Sequence, residues 1–399
     1  ININDIILLS FIKFFYLFIS FYAISKFFSI FTNNYYSYII TFLFIFWPTH
    51  DSTVYFFLAQ YLMLSIALLC YAYYLIDRNY FKRSIVFSFF GSFISYGSTP
   101  IALGLSILFI LNKSYKKSLF ILLPNCIYIF YYVFISKILS ISSISRIPNE
   151  INILSVIKNY IIQIITLFDT NIGPSFFIKI YYSALENNYF SLLLIIIIIF
   201  FIFLFNLKNI KNKKFEFNFN LFVSFSSIII IALLMFSITG GYYQTAFNLG
   251  NRGSIYSAFL ISYLFVYITQ NRNIHILSIF LMLIIVFGIS YHWKNIEINQ
   301  KEVINNISSS DELRNYNKKE ILYVVGNQFS KLGNISNIEF FSESHVAESI
   351  FSLADLNHIK VKTLNSAFLY NGFYIQPVGN VHQQTVRPNE QLALRQKRS

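Results

Sequence analysis

The sequence predicts a mainly α-helical, polytopic membrane protein with a small C-terminal α/β domain outside the membrane. Three observations carry that prediction. Hydrophobic residues make up 56% of the 399 residues and charged residues only 12%, against roughly 25% charged in ordinary globular chains. Apolar runs recur through residues 1–292, many of them near the length of about 20 residues that a crossing helix needs. Charge then concentrates in residues 293–399. The expected division is a transmembrane domain over 1–292, an extracytoplasmic α/β domain over 293–380 and a disordered tail over 381–399, where Phe and Ile give way to Gln and Arg.

Taken in order, the expected spans are 6–31, 35–48, 53–76, 84–96, 100–112, 118–139, 190–207, 219–238, 255–270 and 274–292, about ten in all. The two short segments around Tyr96-Gly97-Ser98-Thr99-Pro100 read either as two spans or as a broken re-entrant hairpin. No cleavable signal peptide is expected, because the first apolar run is long and carries Lys13 and Lys26. Cys70 and Cys126 fall inside spans with no metal-ligand spacing, and read as small buried hydrophobes.

The net charge of +13 could suggest a nucleic-acid partner, but its distribution argues otherwise. Basic residues cluster in every second loop: Arg78, Lys82 and Arg83; Lys113, Lys116 and Lys117; Lys208, Lys211, Lys213 and Lys214; then Arg272. Such loops stay in the cytoplasm by the positive-inside tendency. The complementary loops 47–52, 97–99, 140–189 and 239–254, and everything after 292, are then expected outside. Within the long loop, Asn152, Ser155, Asn159, Gln163 and Thr166 form a polar stripe opposite Leu154, Ile157, Ile161, Ile164 and Ile165. That pattern suits a helix lying in the outer interface. After the last span, 321–325 and 359–364 read as strands and 343–357 as a helix.

The expected outer loops hold the unusual polar residues. Trp47-Pro48-Thr49-His50-Asp51-Ser52 puts a carboxylate and an imidazole at a span end, where a charge must face water, headgroups or a partner. Asp51 is a candidate general base or cation ligand, and His50 a candidate hydrogen-bonding group for a substrate hydroxyl or diphosphate. The competing assignment makes Thr49 or Asp51 a helix cap. Asn251-Arg252-Gly253-Ser254 sets an arginine suited to bidentate phosphate binding just before a span. Its competing assignment is a side chain snorkelling to headgroups. Asp51 and His50 thus form the expected catalytic set, and Arg252, Asn251, Tyr96, Tyr242 and Tyr243 the expected substrate-binding set. Asp169 and Glu186 are spare carboxylates. No Walker, dinucleotide-binding or His-Glu-x-x-His motif is present, and no metal-ligand set is predicted.

This layout, with Trp47–Ser52 and Asn251–Ser254 as its residues, resembles the GT-C class of integral membrane glycosyltransferases and, more loosely, bacterial serotype-converting glucosyltransferases. The resemblance implies a multi-pass plasma (inner) membrane protein with its C-terminal domain outside. It implies a polyprenyl-phosphate-linked sugar as donor and a cell-surface glycan or lipid as acceptor, among membrane lipids and with no nucleic acid. A divalent cation is left open as a cofactor. An Asp would serve as base and Arg252 would stabilise the leaving lipid phosphate. Members of the class also carry an acidic residue in the first outer loop; here that loop would precede residue 6, where Asp5 stands. The alternatives are a polysaccharide polymerase, or a flippase or transporter of the same pathway.

Overall fold

Apolar helices dominate, as their composition requires. The computed structural model describes residues 3–138, 152–189, 192–198, 215–239, 244–247, 249–316, 321–324, 341, 344–363, 368–370, 373–377 and 383–386. The chain divides into two compact units, Ile1–Ser290 and Tyr291–Ser399.

The first unit opens with α1 (Ile3–Phe28), α2 (Asn34–Ile45), a 3₁₀ turn at Pro48–His50, the single turn α3 (Ser52–Tyr55) and α4 (Phe57–Asp77). Helices α5 (Phe81–Ile94), α6 (Ser98–Leu111), α7 (Tyr115–Ile138), α8 (Ile153–Asn171) and α9 (Pro174–Leu185) follow. The helices Phe219–Ile238 and Ile255–Thr269 come next, the second entered through a 3₁₀ turn at Leu249–Ser254, and the helix Arg272–Ser309 continues from the first unit into the second.

Among the described residues, six helical segments are long and apolar enough to cross a membrane: Phe11–Phe28, Ala59–Asp77, Tyr115–Ile135, Ile153–Leu185, Phe219–Ile238 and Asn273–Ser309. The described residues thus carry six such helices, and the expected ten are not all among them. Helices α2, α5, α6 and Ile255–Thr269 have 12, 14, 14 and 15 residues, so at 1.5 Å per residue they reach only about 18–23 Å, short of a hydrocarbon core of about 30 Å. Only 192–198 of the expected span 190–207 is described, and it is helical.

Packing in this unit rests on aromatic layers and small-residue crossings. Phe44 stacks on Phe259 at 4.0 Å, and Tyr73 on Phe109 at the same 4.0 Å separation. Gly104 lets α6 approach Phe219–Ile238 so closely that Ser224 Oγ donates to the Gly104 carbonyl at 2.8 Å. A side chain at Gly104 would collide with Ile228, the close approach small residues allow between apolar helices. Cys70 is buried as expected, but Cys126 is exposed on α7, because that helix turns an apolar face outward with Leu123, Ile127 and Phe130.

The polar stripe of α8 is divided between exposed and buried positions. Gln163 is wholly buried while Ile157, Ile161 and Ile165 are more than half exposed. Asn159 donates to the Ser237 carbonyl at 3.5 Å, and Gln244 donates to Gln163 at 3.1 Å. The C-terminal part of the stripe, around Gln163, lies against the protein, where polar groups inside an apolar bundle find partners, while Asn152 and Ser155 are exposed. Gly173 and Pro174 then break the run between α8 and α9, and Pro174 takes the first helical position of α9.

In the second unit β1 (Ile321–Val324) pairs in parallel with β2 (Lys360–Thr363), Leu322 opposite Val361. The helix Ser344–Leu353 lies between them in sequence, and its Ala347, Ile350 and Phe351 share a core with Leu322, Val324 and Val361. That helix ends on Asp355 in the left-handed region (φ 61°), with Leu356 N donating back to the Phe351 carbonyl at 2.9 Å, a Schellman-type stop. Strands β3 (Phe368–Tyr370), β4 (Phe373–Pro377) and β5 (Gln383–Val386) form an antiparallel sheet in that order. Strand β5 lies within the tail expected to be disordered; Thr385 and Val386 are β-branched and suit a ladder.

Candidate functional site

The turn Trp47–Ser52 is a junction: Pro48 ends α2, and the chain turns through Thr49 and His50 into the short α3 before Phe56 resets it as extended backbone (φ −90°, ψ 114°). Asp51 is the N-cap of α3 by position, yet its side chain makes no capping bond. Its carboxylate is engaged elsewhere.

Lys179 Nζ lies 2.5 Å from Asp51 Oδ1, with both side chains buried (0% and 3% exposed). The same ammonium donates to the Ala246 carbonyl and stands 5.8 Å from the centroid of the Phe247 ring. Asn251 Nδ2 donates to Asp51 Oδ1, and Asn251 Oδ1 accepts from the Ser52 hydroxyl and from Ser52 N at 3.3 Å. Ser254 Oγ donates to the Thr49 carbonyl, so the two 3₁₀ turns are sewn together on both sides of the ion pair. Trp47 stacks on Phe176 at 5.5 Å, which holds α9 beside the junction. Three segments far apart in sequence thus close around one carboxylate.

His50 is fully buried and belongs to this framework. Its Nε2 faces the Phe44 carbonyl at 2.7 Å and its Nδ1 faces Thr53 Oγ1 at 2.9 Å. Burial holds its pKa down at about 4 against the weaker opposing pull of the Phe44 carbonyl, so the ring is neutral near pH 7 with Nε2 as the donor. Both ring nitrogens are occupied internally, so the expected contact with a substrate hydroxyl or diphosphate finds no open nitrogen in this packing.

Arg252 follows Asn251 in the same 3₁₀ turn. It lines a narrow cleft of about 10 Å³ with Tyr61, Ser95, Tyr96, Gly97 and Tyr256. The Tyr256 hydroxyl donates to the Gly97 carbonyl at 2.8 Å and ties the α5–α6 break to the helix that follows Arg252. Gly97 is required there, since a Cβ would meet the Tyr256 hydroxyl at 2.5 Å. The cleft therefore unites Arg252 and Tyr96, as expected from sequence, while Asp51 is not among its lining residues. Tyr242 and Tyr243 lie outside the described residues. Asp169 accepts from Ser175 N at 3.2 Å and from the Ser175 hydroxyl at 2.5 Å, fastening the α8–α9 turn. Glu186 closes the C-terminal end of α9.

Lys179 is the residue that sequence reasoning missed. The signal was present: a lone cation in Pro174-Ser175-Phe176-Phe177-Ile178-Lys179-Ile180, an otherwise apolar helix, is an expected functional position in a membrane protein. Among the described residues, no group of three His, Cys, Asp or Glu side chains could hold a metal ion. No protein-family model, curated protein or solved structure matches this chain.

Proposed function

We propose that this chain is an integral membrane glycosyltransferase that moves a sugar from a polyprenyl-phosphate donor to a glycan or lipid acceptor at the outer face of the plasma membrane. The observation that supports this is the cleft in which Arg252 meets Tyr96 and Tyr61. A guanidinium offers paired donors to phosphate oxygens, and negative charge grows on the lipid phosphate as the glycosidic bond breaks. The phenols give hydroxyl partners for sugar or phosphate oxygens. Asp51 acts here as a positioning residue: with Lys179 it grips Asn251, and Asn251 fixes the backbone from which Arg252 projects. On this reading loops 47–52, 97–99 and 239–254 face outward, and the β1–β2 unit is extracytoplasmic.

Sugar transfer from a polyprenyl-phosphate donor, assayed in membranes, tests the assignment. Arg252→Ala is expected to lower transfer by about 10²-fold or more, with Arg252→Lys recovering little because a point charge replaces the fork. Undiminished transfer by Arg252→Ala ends the reading. If lipid-linked oligosaccharide instead accumulates unpolymerised in cells lacking the protein, the activity is that of a polymerase.

One observation favours a second reading, a flippase or transporter. The Asp51–Lys179 pair is buried among apolar helices, and ionisable pairs in such settings mark translocation pathways. Proteoliposomes that move a labelled glycolipid across the bilayer without transferring its sugar would select it.

A further inference from the structure

A second feature lies at the other end of α4 from Asp51. Helix α4 has 21 residues, about 32 Å at 1.5 Å per residue, which is close to the hydrocarbon thickness. Near its far end α1, α4 and α5 leave an open apolar groove of about 180 Å³, lined by Phe18, Tyr22 and Ala23 from α1, Leu68 and Tyr71 from α4, and Phe87 from α5. Tyr22 and Tyr71 meet with centroids 6.0 Å apart, and Phe87 stands edge-on to Tyr71 at 5.0 Å. These contacts fix the helix directions: α1 runs with α4, and α5 runs against it.

The basic residues gather at one end of that groove. Lys26 lies one turn beyond Tyr22 on α1, with Nζ 5.4 Å from the Tyr22 ring. Arg83 lies one turn beyond Phe87 on α5, exposed, and close enough to Tyr71 to act on it electrostatically. Arg78 caps the end of α4 and sits 5.7 Å from the Tyr74 ring. Lys117 Nζ donates to the Asp77 carbonyl at 3.2 Å, which brings the α6–α7 basic turn to the same rim. An apolar slot therefore runs into a cationic rim within one leaflet, the complement of a lipid with an acyl chain and an anionic head.

We propose that the groove between α1, α4 and α5 is a binding site for one anionic glycerophospholipid, its acyl chain along Phe18, Tyr22, Leu68 and Phe87 and its phosphate between Lys26 and Arg83. Neutral lipids fill the slot but leave the rim uncompensated. Charged lipids gain attraction from each basic residue near the surface. The site lies in the leaflet opposite Asp51 and Arg252 and does not depend on what that region does.

The test uses the full chain, purified in detergent and offered equimolar phosphatidylglycerol and phosphatidylcholine. Retained lipid is counted by native mass spectrometry, and a photoactivatable acyl-chain phosphatidylglycerol is mapped by its crosslinks. Wild type is expected to retain phosphatidylglycerol in excess by about five-fold or more, with crosslinks on residues 18–23, 68–71 or 87. Lys26→Gln/Arg83→Gln is expected to bring the ratio close to one, whereas Lys13→Gln, on the same α1 helix but away from the rim, leaves it unchanged. Equal retention of the two lipids by wild type, crosslinks scattered over the whole bundle, or a wild-type preference in the double variant each overturns the proposal. Should the double variant fail to fold, the wild-type ratio and crosslink map decide by themselves.

Discussion

Helix α9 buries Lys179 and Ser183 and exposes Phe177, Ile178 and Tyr181, whereas the helix Ser344–Leu353 buries Ala347, Ile350 and Phe351 and exposes His345, Glu348 and Ser349. Both are amphipathic at the helical period, and they are turned inside out relative to each other. The difference teaches what surrounds each unit. In the second unit burial removes apolar surface from water. In the first, lipid tails are as apolar as the side chains, so no such drive exists, and polar groups collect inward where they find partners.

Two ion pairs among the described residues repeat the contrast. Lys179–Asp51 is 0% and 3% exposed at 2.5 Å, while Lys301–Glu297 is 41% and 48% exposed at 3.0 Å across one helical turn. The chemistry is the same, but the first pair has lost its water and depends on Asn251 and the Ala246 carbonyl to replace it. The second is solvated and screened.

The largest effect that would break this comparison comes from parting the buried pair. Lys179→Met leaves Asp51 buried without its cation and is expected to cost about 3–5 kcal/mol, measured by thermal or denaturant unfolding in detergent. Adding Asp51→Asn to it should recover much of that loss, because the remaining partners are then neutral; a single variant as stable as wild type would mean the pair is not buried. Next in size, Ile161→Lys places a charge on the outward face of α8, where a lipid surround makes it cost about 2.5–3.5 kcal/mol near mid-bilayer. Ser349→Lys, equally exposed in class but on the second unit, should stay within about 0.5 kcal/mol. Matching effects at the two positions would show that α8 faces water. The smallest change is Glu297→Gln, expected to shift stability by about 0.5 kcal/mol or less, and its ionic-strength dependence sharpens the contrast with Asp51.

The helices of the first unit were legible where hydropathy alone decides them, as in Phe219–Ile238, whose expected and observed bounds coincide. The short α6 was also legible, expected at 100–112 and observed at Ser98–Leu111, whereas α2, expected to reach residue 48, stops at Ile45 before the Pro48 turn. The stripe on α8 was legible as a stripe, but periodicity gives the angle of a face and never its direction. Arg252 and Tyr96 were marked by their loops and share a cleft. Asp51 was marked as a lone carboxylate, and its partner escaped because Lys179 stands 128 residues away.

Composition and periodicity determined by themselves that this chain is mainly helical and that it carries apolar helices of membrane-crossing length. Such features are local, since they follow from residue type and spacing along one segment. Only the tertiary structure decided which face of each helix is inward, that Lys179 neutralises Asp51, and that Asn251 and Arg252 serve two different environments from adjacent positions. Those outcomes depend on which segments meet, and burial gives a charge its partner only when the chain has closed around it.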